Sequence, residues 1–241
     1  MEAVMTKEEL IRTLKDDLEV KKEVIALKAV KEPPEGVPPY QGQAIPGMCA
    51  LLGELLREGG VYYVTKDNLG CFMSLLGTGT CQQMPRDQYL EFMISQNEAY
   101  RLHKDADTVV KYNDRVDSFF KYPETTGTGM VVGPLAKVSD PDLVFLIVTP
   151  HQTDILNRCR AYLGDYSRGF GGSGSCIFNI RYSFVTGDPC FSVSDTAWRV
   201  FAALGRDELT YTFPYAKLME IADQIKPTAE YINNLYTSLV S

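Results

Sequence analysis

Apolar positions recur along this chain in two rhythms, one helical and one extended, and together they predict a mixed α+β fold. Leu10, Ile11, Leu14 and Leu18 fall at helical spacing behind Thr6, and Glu9 three residues after Thr6 completes a capping box, which predicts a helix over 7–19. Val24, Ile25, Leu27 and Val30 read as a strand over 23–30, followed by a stiff, extended connection through Pro33, Pro34, Pro38 and Pro39. Pro46-Gly47 opens a helix over 48–57 and Gly59-Gly60 ends it. Val61 to Val64 is a short β-branched and aromatic strand, and residues 66–70 turn it into the segment 71–80.

The middle of the chain is helical. Pro85 sits at a first helical position, with Tyr89, Phe92, Met93, Gln96 and Tyr100 along one face, and Val109, Tyr112, Val116 and Phe119 mark a second helix over 105–120. A loop over 123–129 leads to strands over 130–135 and 142–148, separated by a turn at Ser139-Asp140-Pro141. Residues 143–148 are apolar without alternation, which predicts a strand buried on both faces. A helix over 152–162 follows, then a glycine loop over 168–176, a helix or strand over 177–185 and an extended piece over 190–193. A helix over 198–204, a strand over 210–213, a closing helix from Pro214 and a further short helix after Pro227 complete the pattern. No low-complexity stretch or charge block divides the chain. The expectation is one domain over 1–241, a mixed sheet flanked by helices, with the helix 7–19 as an appendage.

Composition narrows the function classes. At 241 residues with 45% hydrophobic and 23% charged residues the chain is ordinary for a globular protein. A net charge of -7 and the lack of clustered Lys and Arg argue against a nucleic-acid partner. The longest apolar run, 143–148, is far too short to cross a bilayer, so no membrane partner is expected. The acidic, polar start is unlike a signal peptide, and the expectation is a cytoplasmic protein.

Six cysteines in such a setting are expected to be free thiols, which leaves burial, metal binding or catalysis as their roles. Cys49, Cys71 and Cys81 are mirrored in order by Cys159, Cys176 and Cys190. In each half the first lies on a predicted helix, the second follows a glycine-containing turn, and a Thr-Gly pair (Thr78-Gly79, Thr186-Gly187) precedes the third. The parallel points to a duplicated unit whose halves bring Cys71 and Cys176 together across a pseudo-twofold axis.

Cys49-Ala50-Leu51-Leu52, Asn68-Leu69-Gly70-Cys71 with Leu76-Gly77, the stretch 145–150 with Gln152, Gly174-Ser175-Cys176, Arg199 and Asp207-Glu208 occur in an order that resembles the domain-of-unknown-function 169 family. The resemblance runs from about Ile25 to Ile225. It implies a protein largely of archaea and anaerobic bacteria, carries no established activity, and implies that Cys49, Cys71 and Cys176 are the thiols of interest. Ser192-Val193-Ser194-Asp195 stands where some relatives offer another Cys.

Three thiolates suit an iron–sulfur cluster whose fourth position is taken by another ligand, or a zinc ion in a closed or open site, although no C-x-x-C pair is present. Gly171, Gly172 and Gly174 could turn backbone N–H groups toward a bound anion, with Arg168 and Gln152 as further contacts, but the loop lacks the Gly-Lys-Thr ending of a phosphate loop. His151, just past the end of the buried strand, is placed for ligand contact or as a base for Cys71 or Cys176. Two functions stay open. One is binding of a small molecule or metallocofactor through the cysteine–glycine region, for redox or cofactor metabolism in an anaerobe. The other is a thiol- or His-dependent enzyme acting on a small substrate. A homodimer is the default assembly.

Overall fold

The computed structural model describes residues 5–41, 47–71, 74, 77–79, 86–100, 103–119, 129–170 and 176–240. The capping box forms as the sequence predicts: Thr6 caps α1 (Lys7–Arg12), and the helix widens into a π-helical turn over Thr13–Asp17. Leu10, Leu14 and Leu18 are buried, so α1 is packed into the core. β1 (Ile25–Val30), α2 (Met48–Glu58) and β2 (Tyr62–Thr65) follow. Next come α3 (Arg86–Tyr100) and α4 (Ala106–Phe119), which share a small apolar cluster of Tyr89, Met93 and Val109. β3 (Gly129–Pro134), β4 (Leu143–Val148), α5 (Pro150–Tyr162) and β5 (Arg168–Phe170) lead to α6, whose π-helical first part Cys176–Arg181 continues as Tyr182–Thr186. β6 (Cys190–Ser192), α7 (Thr196–Phe201), β7 (Leu209–Pro214) and α8 (Tyr215–Val240) close the chain.

The strands form one mixed sheet of seven in the order β2-β3-β1-β4-β7-β6-β5. Every neighbouring pair is antiparallel except β5 and β6. All six residues of β4 are buried, and their alternation divides the core in two. Val144, Leu146 and Val148 face α1, α5 and α8, while Leu143, Phe145 and Ile147 face α2, α6 and α7. The molecule is therefore a helix–sheet–helix sandwich, the mixed α+β architecture that the alternating rhythms predict.

Two sequence expectations need correction, at 168–170 and at Pro227, and the structure settles two points that the sequence left open. Strands β3 and β4 are not neighbours, because β1 lies between them and bonds to both. Residues 168–170, read as the start of the glycine loop, pair with β6 as a strand. The segment after 176, open between helix and strand, is helical. Pro227 does not end a helix: α8 runs through it, since the buried Ala229 and Ile232 beyond it pack on the same core. That packing outweighs the lost N–H and the ring clash.

The two halves of the sheet repeat each other. β1 and β4 pair through Ala26 and Val144, and equivalent strands extend outward on either side. The register Ile25↔Pro134 of β1 with β3 recurs as Leu143↔Pro214 of β4 with β7. The register Tyr62↔Val132 of β2 with β3 recurs as Cys190↔Thr212 of β6 with β7. α2, of 11 residues, answers α6, of 6 and then 5, and each ends at a glycine of positive φ, Gly59 at 71° and Gly187 at 72°. The repeat thus sets position 48 against 176 and Tyr62 against Cys190, not Cys49 against Cys159. Cys159 lies on α5, on the other face of the sheet, because α5 and β5 are interposed between β4 and α6 in the second half.

Candidate functional site

The N-terminus of α2 is where distant segments meet. Gly47 is the N-cap and has no side chain to offer, so the hydroxyl of Ser74 accepts the hydrogen bond from the Met48 N–H at 2.7 Å. Ser74 is held in turn by its own N–H, which donates to the Cys71 carbonyl at 3.0 Å, and by Thr78, whose hydroxyl donates to the Ser74 carbonyl at 2.8 Å. The corner leading out of β2 is fixed by Asn68. Its carboxamide oxygen accepts from the Thr65 N–H at 2.7 Å and its NH2 donates to the Tyr63 carbonyl at 3.2 Å. These bonds deliver Cys71 to Gly47.

Gly47 is the point at which two thiol side chains approach. A methyl group there would stand 3.3 Å from the Cys71 Cβ, 3.4 Å from the Cys49 Sγ and 3.5 Å from the Ser74 Oγ. Cys49 is buried and Cys71 half-buried. Burial pushes the Cys49 thiol up to about 12, with the neighbouring Cys71 and the Asp195 carboxylate adding to the effect. Asp195 reaches the site from α7, which it caps by accepting from the Trp198 N–H at 3.0 Å. α7 lies so close on α2 that a Cβ at Gly53 would fall 1.9 Å from the Phe201 carbonyl oxygen. At neutral pH Cys49 is therefore a protonated thiol with a half-buried thiol and a carboxylate nearby, a setting that disfavours a free thiolate. Such a thiol ionises readily when a bound cation takes the place of its proton.

The other residues singled out by the sequence fall in several places. Gly171, Gly172, Gly174 and Cys81 lie outside the described residues, as does the side chain of Cys176. The backbone puts Cys176 at the first position of α6, one turn before Ile180, which shares the core of Cys49, Met48 and Leu51. Arg168 begins β5, and its guanidinium lies 5.7 Å from the ring centroid of Tyr182 on α6. Gln152 completes a capping box with Thr149, and its NH2 donates to the carbonyls of Leu18 at 2.9 Å and Glu19 at 2.8 Å. Its amide thus ties α5 to the end of α1. His151 is exposed on α5, with Nε2 3.0 Å from the Asn233 Oδ1 and its ring edge-on to Tyr236 at 5.5 Å, both on α8. α5 and α8 cover one face of the sheet and α2 the other, so the structure does not bring His151 and Cys71 together. Cys159 and Cys190 are fully buried thiols, and burial pushes both up.

Arg199 and Glu208 brace the same region. Arg199 donates to the carbonyls of Val193 at 2.5 Å, Gly205 at 2.8 Å and Glu208 at 3.3 Å. The Glu208 carboxylate accepts from the Gly205 N–H at 2.6 Å and pairs with Lys22 at 2.6 Å. Sequence reasoning passed over Ser74 and used Gly47 only to start a helix. The one signal for either was position, a glycine two residues before Cys49 and a serine three after Cys71.

Among the described residues no three His, Cys, Asp or Glu side chains are grouped so as to hold a metal ion. Nor is any helix there long and apolar enough to cross a membrane. A family model described only as an uncharacterised ArCR matches residues 13–224. No curated protein and no solved structure matches the chain.

Proposed function

Because the chain belongs to the domain-of-unknown-function 169 family, which assigns no activity, we propose a function from the site alone: it binds a small molecule or metallocofactor at the Cys49–Cys71 apex. The observation that carries this reading is the approach of two cysteine side chains, from separate segments, to one glycine. The donor chemistry fits a soft metal, an iron–sulfur cluster or zinc, which would replace the proton that burial holds on Cys49. Cys176, at the head of a helix on the same face, is the third thiol of the proposal. A role in redox or cofactor metabolism, in a cytoplasmic homodimer, is part of the same proposal. Placement of His151 across the sheet favours binding over a Cys–His nucleophile.

The test is metal analysis and a visible spectrum of protein purified without oxygen. Bound iron with thiolate-to-metal absorption, or bound zinc, reduced in Cys71→Ala, is the expected result. A colourless, metal-free protein that also carries no small molecule would refute the reading.

A further inference from the structure

The two halves of the sheet are built alike but filled differently. In the first half, five of the positions where helix and sheet meet are Leu51, Leu55, Val64, Met130 and Val132, all buried and apolar. The repeat sets these against Asn179, Ser183, Ser192, Thr210 and Thr212, equally buried and all polar. The architecture itself does not demand the polar set, because its twin is made from hydrocarbon. Buried polar groups cost stability relative to apolar ones unless every bond is made, so their presence in one half calls for a role beyond packing.

Ser183 donates to the Thr212 carbonyl at 3.3 Å and the Thr212 hydroxyl finds no partner among the described residues, but the bonds of Asn179, Ser192 and Thr210 lead to one place. The Asn179 NH2 donates to the Thr210 Oγ1 at 2.6 Å, and that hydroxyl lies 2.8 Å from the Ser194 Oγ. The Ser194 N–H donates to the Ser192 Oγ at 3.0 Å. Ser194 is buried and sits at φ 63°, a left-handed conformation that a serine adopts only when its surroundings hold it. The next residue is Asp195, the cap of α7. The Arg199 bond to the Val193 carbonyl clamps the same turn from its other side.

We propose that Asn179, Thr210 and Ser194 are positioning residues of the Cys49–Cys71 site, holding the turn that sets Asp195 and the start of α7 against α2. The proposal rests on the reading of Cys49 and Cys71 as the functional site. The hydrogen-bond chain starts at Asn179 on α6, the helix that Cys176 begins, so it also ties that helix to Asp195 through β7.

The test is the rate of Cys71 alkylation by iodoacetamide in the folded protein, located by peptide mass mapping, which needs no bound group. Thr210→Val keeps the shape and removes the hydroxyl, and Thr210→Ser keeps the hydroxyl. The expected result is a rate raised roughly fivefold in Thr210→Val, the scale of one lost hydrogen bond, with Thr210→Ser close to wild type. Asn179→Leu, which installs the first half's residue, should raise the rate in the same sense. Wild-type labelling in both folded variants would overturn the proposal, as would loss of the fold in both, which would make the network structural. Failure of wild-type protein to bind any metal or small molecule overturns the functional reading instead, and leaves the labelling result standing as evidence on the network.

Discussion

Raising the pH should weaken the fold through one thiol. Cys49 ordinarily would ionise near 9.0, and in the folded protein burial carries it to about 12. The folded state therefore holds this proton more tightly than the unfolded chain, so its contribution is fully present below about pH 9 and fades as the pH climbs toward 12. At about pH 10.5 the unfolded thiol is nearly all ionised and the folded one nearly all neutral, a difference of about 1.5 pH units or ~2 kcal/mol. Cys49 is 9% exposed, so solvent screening takes little from this figure. The perturbation is Cys49→Ala, which removes the titrating group. Urea unfolding of both proteins without bound metal at about pH 8 and 10.5 gives two slopes against pH. Wild type should lose ~2 kcal/mol more than the variant across that interval. Tyr40 and Tyr211, also pushed up by burial, are present in both proteins and cancel from the difference. Equal losses would refute the burial of a neutral thiol at this position.

Gly53→Ala should separate α2 from α7, because its Cβ would meet the Phe201 carbonyl oxygen; a loss of about 1–3 kcal/mol in urea is expected, and wild-type stability would contradict the close helix contact. Gln152→Ala removes two bonds to the end of α1 and half of a capping box, and should cost about 2–3 kcal/mol by the same assay. Pro227→Ala should raise stability, by up to about 3 kcal/mol, since it restores an N–H inside a continuous helix; no gain would mean the helix is broken there in solution.

Much of the fold was legible because its signals are local. The capping box at Thr6, the glycine pair that stops α2, and the unbroken apolar run of β4 each act within a few residues. Strand order was not legible, because β1 enters between β3 and β4 through pairings between segments about a hundred positions or more apart in the chain, which no periodicity records. Pro227 misled because its local penalty is outweighed by Ala229 and Ile232 packing in the shared core. Order in the two cysteine triplets suggested a duplication, yet the strand registers pair α2 with α6 and leave Cys159 without a counterpart. For the site, glycines beside Cys49 and Cys71 were visible, but the approach of the two thiols depends on Asn68 turning the chain and Ser74 capping a helix 26 positions away.

Native mass spectrometry of protein purified without oxygen tests the central claim most directly. Wild-type protein should carry mass above its polypeptide that is lost on denaturation, and Cys49→Ala and Cys71→Ala should fly at the bare polypeptide mass while remaining folded. Wild-type protein at the bare mass, or both variants keeping the added mass in full, would contradict a functional site at Cys49 and Cys71.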